Sequence, residues 1–211
     1  MIRHHLSDDL LAGYSAGTLP EAFSLLVASH VSLCDECRAR LGSLDALGGV
    51  LLETAEVAVS EGALAATMAR IRGTSPLPRP APEPRGVLPA PLRAYVGGDV
   101  DGVRWRPVGG GVRQAILPTS DGASARLLYI PGGVGVPDHG HRGTELTMVL
   151  QGAFRDESDR FGPGDVEIAD ASVQHTPVAE AGAPCICLAV TDAPLKFRGV
   201  IPRLLQPFVK I

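Results

Sequence analysis

Aromatic residues make up only 4% of the chain, and Trp105 is its single tryptophan, so there is no platform on which nucleic-acid bases could stack. A basic block is missing too. Residues 1–72 carry 5 basic and 9 acidic side chains and residues 92–211 carry 12 and 13, within a net charge of -4. Binding to duplex DNA rests on clustered Lys and Arg neutralising phosphates, so direct contact with nucleic acid is excluded. No stretch approaches the roughly 18 uncharged apolar residues of a membrane span, and Met1 is followed by Ile2, Arg3, His4 and His5 rather than by an apolar leader. The expected location is the cytoplasm. Cysteine is scarce, with four residues in two close pairs, Cys34/Cys37 and Cys185/Cys187. That distribution does not make a disulfide framework and suits a reducing compartment, so the pairs point to metal or redox chemistry.

Apolar residues are plentiful at 45%, against 20% charged, which is enough to bury a core. Prolines at 76, 78, 80, 82, 84, 89 and 91 remove backbone donors and fix φ, so residues 76–91 read as an extended linker. Two domains follow, 1–75 and 92–211, each expected to fold on its own core.

The first half reads as a small all-α bundle. Ser7 is a plausible N-cap ahead of Asp8 and Asp9, with Leu6, Leu10, Leu11 and Tyr14 at helical spacing. Residues 17–20 break the chain. A second helix begins with Pro20 in its first turn and carries Phe23, Leu26, Val27 and His30. A third runs from Asp35 through Leu41, Leu44 and Leu47, weakened at its end by Gly48 and Gly49, and a fourth spaces Leu64, Met68 and Ile71 as an apolar stripe. The second half changes period. Short β-type runs at 112–117, 126–130, 146–150, 166–169 and 185–190, separated by glycine-bearing turns, suit an all-β sandwich or barrel.

Two groups of residues have the composition of metal sites. His30-x3-Cys34-x2-Cys37 places three ligands on one helical face if the helix is nearly continuous. A fourth from His5 or His4, with His5 favoured, would close a tetrahedral zinc site that staples the first helix to the second and third. The rival roles are packing along the Phe23, Leu26, Leu41 stripe and a redox Cys-x-x-Cys pair. Further on, Gly133-x5-His139-x-His141-x3-Glu145-x6-Gly152 spaces three ligands evenly. On one strand they would project to one side and converge inside a barrel, with His175 as the fourth ligand. Such a donor set suits Zn, Fe(II), Mn or Ni. Cys185 and Cys187 would share a strand face, where a direct disulfide needs backbone distortion, so they read as core, with a reactive thiol pair as the alternative.

Taken together, His5, His30, Cys34 and Cys37 resemble a zinc-binding anti-sigma domain, and the pattern from Gly133 to Gly152 resembles the first cupin motif. In this order, over essentially the full length, the chain resembles the ChrR family of anti-sigma factors. The second cupin motif departs from the usual pattern, with Asp170-Ala171-Ser172 for Pro-x-Gly and Ala179 for Asn, yet keeps His175. The resemblance implies a helical domain that binds an ECF sigma factor and blocks its use by RNA polymerase. It also implies a cupin jelly-roll that senses singlet oxygen or related oxidants, one zinc in each half, and no enzymatic activity. A cupin metalloenzyme of dioxygenase type, regulated by its helical half, is the alternative, and metal identity separates the two.

Overall fold

The computed structural model describes residues 1–74 and 86–194, together with the backbone of Lys196 and Phe197. Most of the proline-rich linker expected at 76–91 therefore lies outside the described residues.

Four helices come first: α1 (Asp8–Ser15), α2 (Glu21–Leu33), α3 (Asp35–Thr54) and α4 (Ala63–Gly73). Ser7 caps α1 by accepting the Leu10 N–H, and Asp8 and Asp9 place negative charge at the positive end of its dipole. Pro20 stands just outside α2 as its N-cap rather than within its first turn. Helix α3 runs straight through Gly48 and Gly49 to Thr54, because twenty residues of helical hydrogen bonding outweigh two glycines at roughly 1 kcal/mol each. A fifth helix, α5 (Ala90–Val96), opens the second half and was not legible as such. Pro91 sits in its first turn and Gly97, at φ 78°, ends it, a proline-in, glycine-out pattern hidden by the proline run before it.

The strands that follow are β1 (Arg106–Gly109), β2 (Val112–Leu117), β3 (Ser124–Ile130), β4 (His139–Gly140), β5 (Glu145–Gln151) and β6 (Phe154–Arg155). After them come β7 (Arg160–Phe161), β8 (Val166–Ala169), β9 (Gln174–His175), β10 (Val178–Ala179), β11 (Cys185–Thr191) and β12 (Lys196–Phe197). A six-stranded sheet runs β1-β2-β3-β11-β5-β8, and two three-stranded sheets run β10-β6-β7 and β12-β4-β9. The named strand pairs are antiparallel.

Strand β11 explains how the halves meet. Its residues Cys185 to Val190 are all buried, which an antiparallel strand shows only when both of its faces are covered. Ile186, Leu188 and Val190 join one core cluster with Leu127, Leu146 and Met148 of the sheet and with Leu11, Phe23, Leu26 and Val27 of the helices. Cys185 and Cys187 point the other way, into a second cluster with Ile130, Val149, Phe154 and Phe161. Helix α2 thus lies across the sheet, and the expectation of a separate core for each half does not hold. At about 1.5–3 kcal/mol for each large apolar side chain buried, this contact is a substantial part of the fold. It is pinned at its edge by Glu21, which accepts the Tyr95 hydroxyl of α5 at 2.5 Å and the Ser120 N–H at 2.7 Å. Trp105 packs edge-on against Tyr129 of β3, at 5.8 Å between ring centroids.

Candidate metal centres

The first centre forms around a break in the helices. Cys34 ends α2 and begins α3 in an extended conformation, φ -106° and ψ 107°, so the continuous helical face expected for His30, Cys34 and Cys37 is replaced by a corner. The corner is stabilised by the Cys34 thiol itself, whose Sγ accepts the Cys37 N–H at 3.4 Å. Cys37 then lies in the first turn of α3 and His30 in the last turn of α2, and both face inward.

His5 supplies the fourth group. Its Nδ1 lies 3.3 Å from Cys34 Sγ and 3.7 Å from Cys37 Sγ, while its Nε2 lies 3.3 Å from a Glu36 carboxylate oxygen. His30 donates through Nδ1 to the Gly164 carbonyl at 2.9 Å, which leaves Nε2 as a buried lone pair with no hydrogen-bond partner. One ligand atom from each of His5, His30, Cys34 and Cys37 falls within 4.8 Å of the other three. Burial lowers the affinity of His30 for a proton, against the opposing pull of the Gly164 carbonyl, and burial raises the Cys37 thiol. A neutral imidazole with an orphaned inward nitrogen and two buried sulfurs fit a cation, which would satisfy all four groups at once. His4 is turned away: its main chain bonds to Asp165 and Val166, and its ring packs on Phe161 at 4.5 Å.

The second centre gathers His139, His141 and His175, all buried. His139 on β4 and His175 on β9 are cross-strand partners, with Nε2 atoms 3.2 Å apart, and His141 Nε2 lies 3.3 Å from His175 Nε2. His139 donates through Nδ1 to the Pro137 carbonyl at 2.9 Å. In their neutral forms His139 and His175 then aim lone pairs at each other, an arrangement that repels until a cation or a proton lies between them. The three imidazoles could hold a metal ion.

Glu145 arrives differently from the single-strand expectation. It opens β5 in the six-stranded sheet, whereas His139 is on β4 in another, because the chain bends between them. Its carboxylate lies 3.4 Å from His141 Nδ1 and accepts the Thr147 hydroxyl at 3.2 Å, and it stands outside the set of ligand atoms formed by the three histidines. Burial works to raise the carboxyl, but the His141 ring beside it and the surrounding imidazoles win and lower it, so it is held ionised.

Two carboxylates that the sequence reading missed support His175. Its Nδ1 lies 2.8 Å from Glu167 Oε1 and 3.0 Å from Asp156 Oδ2. Burial would lower His175, but these neighbours prevail and push it up to about 9. Burial pushes Glu167 up to about 7, and the Asp156 charge beside it works in the same direction. The available signal was Glu167 itself, a charge within the otherwise apolar run Val166–Ala169. Cys185 and Cys187 are buried free thiols with Sγ atoms 3.4 Å apart, packed in the barrel interior.

Comparison with known proteins gives this geometry a family. Residues 94–194 match the ChrR cupin-like domain. The anti-sigma-E factor ChrR of Cereibacter sphaeroides is 65% identical over 211 residues, covering 100% of this chain and 99% of that protein. The crystal structure of Rhodobacter sphaeroides SigE in complex with the anti-sigma ChrR contains a chain 65% identical to this one; it aligns at a TM-score of 0.81 over 91% of this chain and 100% of that one. With an N-terminal set of helices, a cupin-like β half, and a relative of this identity along its whole length, the chain belongs to the ChrR family of anti-sigma factors.

Proposed function

We propose that this protein is an anti-sigma factor: its helical half sequesters an ECF sigma factor, and its cupin half senses an oxidant, singlet oxygen or a related species, and triggers release. The role is regulatory and not enzymatic, and its place is the cytoplasm; no described helix is long and apolar enough to cross a membrane.

One observation carries the reading. Among the described residues the helices leave many apolar side chains uncovered: Leu47, Val50, Leu51 and Leu52 on α3, Val57 and Val59 after it, and Leu64, Met68 and Ile71 on α4 are all exposed, Leu52 to 79% and Leu64 to 77%. A chain rarely leaves so many large apolar side chains uncovered on neighbouring stretches of sequence unless a partner covers them. The relative of known structure is solved as a complex with a sigma factor, which supports a partner of that class here.

His5, His30, Cys34 and Cys37 would hold a structural zinc, the ion that a Cys2His2 set suits. His139, His141 and His175, with Glu145 beside them, would hold a second zinc in the cupin half. Each zinc would supply a redox-inert charge that fixes its ligands, and the chain does the rest. Glu36 and the Gly164 carbonyl orient the imidazoles of the first set, and Asp156 and Glu167 orient His175 in the second.

Co-expression of the tagged chain with an ECF sigma factor of the SigE class, followed by purification and transcription from the promoter of that factor, tests the reading. A stable complex and a silent promoter are expected. Free sigma factor and full transcription overturn it.

A further inference from the structure

Gly164, Asp165 and Val166 belong to the cupin half, yet their bonds reach into the first metal centre. Asp165 is 3% exposed, and one of its side-chain oxygens accepts the main-chain N–H of Arg3 at 2.6 Å and of His4 at 3.0 Å. Its other oxygen accepts the Gly162 N–H at 2.8 Å, so the carboxylate closes its own turn while gripping the extended N-terminal segment. Val166 completes the grip by donating its N–H to the His4 carbonyl at 3.2 Å. The residue held next in line is His5. One position back, the Gly164 carbonyl accepts from His30 Nδ1 and so fixes the tautomer that frees Nε2 for the centre.

The turn is tied to the cupin barrel. The Gly164 N–H donates to the Val149 carbonyl at 2.8 Å, and the Val149 N–H donates to the Asp165 carbonyl at 3.0 Å, both on β5. Gly164 has φ 90°, and a Cβ there would lie 2.6 Å from the Ile2 side chain, so glycine is what lets the N-terminal segment lie this close.

We propose that the Gly164–Asp165 turn is the outer-sphere half of the His5–His30–Cys34–Cys37 centre: the cupin half positions two of the four ligands and thereby sets how tightly the helical half holds its metal. The proposal rests on those four residues binding metal. Asp165 acts through its neighbours, as a positioning residue. Movement of the turn with β5 would loosen His30 and His5 together, which gives the cupin half a physical handle on the helices. Outer-sphere partners of this kind change metal affinity about 10- to 100-fold.

The test uses the full-length zinc-loaded chain and the variants D165A, D165N and G164A, the last leaving the carboxylate in place and displacing Ile2. Zinc release to a chromophoric chelator is timed, and mass spectrometry reads alkylation of Cys34 and Cys37 to assign the release to this centre. At least about tenfold faster release with early alkylation of both cysteines is expected, while the zinc at His139, His141 and His175 stays bound. Because binding free energies couple reciprocally, stripping zinc from the wild-type chain should also speed hydrogen exchange at the amides of Arg3 and His4, a readout independent of how the variants fold. Unchanged release in the variants, or unchanged exchange in the stripped wild type, overturns the seam alone. A wild-type chain in which Cys34 and Cys37 never hold zinc overturns the metal centre and the seam with it.

Discussion

His139 and His175 face each other across paired strands with their Nε2 atoms 3.2 Å apart, while the opposite edge of the His175 ring leans on Glu167 and Asp156. A metal held between the rings is therefore backed by a carboxylate pair on one side only. Glu167→Gln should leave the helical centre intact and weaken zinc binding at the cupin centre about 10- to 100-fold, as loss of an outer-sphere partner does. Competition against a chelator of known affinity measures it, and equal affinity in variant and wild type removes Glu167 from the site.

The same pair predicts a proton count. His175 is raised from its ordinary 6.5 to about 9, so in the metal-free protein the protonated ring contributes stability that is fully present below about 6.5 and is lost as pH rises through about 9. Metal needs Nε2 without its proton. Zinc binding near neutral pH should release a proton from His175, and zinc affinity at this centre should rise with pH up to about 9. Calorimetry in buffers of different ionisation enthalpy counts the proton; binding without proton release contradicts it.

The two candidate centres share no residue, so on the proposed reading two metals should be lost independently. Cys37→Ser is expected to lose one zinc and destabilise α1 to α3, and His141→Ala to lose the other while sigma binding survives. Elemental analysis of the purified variants checks this, and joint loss in either one rejects two separate sites.

What could be read in the sequence follows from how local each signal is. Short β-type runs bounded by turn signals located β2 and β8 to the residue, since branched apolar side chains between turn residues are a local signal. The four groups of the first centre were legible because soft ligands are rare and lie close in sequence. The docking of α2 across β3, β5 and β11 was not, although the unbroken apolar run Cys185–Val190 carried the trace of a second covered face. The corner at Cys34 was hidden because the residue that caps α3 is also one expected to bind metal. The different sheets of His139 and Glu145 were hidden by a bend that even spacing cannot reveal.

The shared core makes a prediction about dissection. A fragment of residues 1–74 keeps the exposed apolar surface of α3 and α4 and should still bind the sigma factor, but it bares Phe23, Leu26 and Val27, which pack on the sheet in the intact chain. It should therefore melt well below the full chain, and Leu26→Ala should destabilise the full chain by about 2–5 kcal/mol. Leu64→Asp is expected to weaken sigma binding while leaving the melting temperature of the chain alone nearly unchanged, since Leu64 is 77% exposed. A fragment as stable as the whole, or undiminished binding by Leu64→Asp, counts against this arrangement.

The last prediction concerns release. If the cupin half reports the oxidant, oxidation at its intact metal centre must lower the affinity of the helices for the sigma factor, and the two events are then linked by one coupling free energy. A hundredfold loss of affinity needs only about 2.7 kcal/mol, within the 1–3 kcal/mol typical of such couplings. The route is short: Glu145 opens β5 beside His141, and Val149, four residues along the same strand, holds the turn that grips Arg3, His4 and His30. Replacing His141 and Glu145 by Ala should leave repression intact and abolish induction by singlet oxygen, and Asp165→Ala, which cuts the grip without touching the cupin ligands, should raise basal transcription. Promoter activity with and without a photosensitiser and light measures both. Normal induction in the His141/Glu145 double variant would move the sensor to the first centre, where Cys34 and Cys37 are the oxidisable pair.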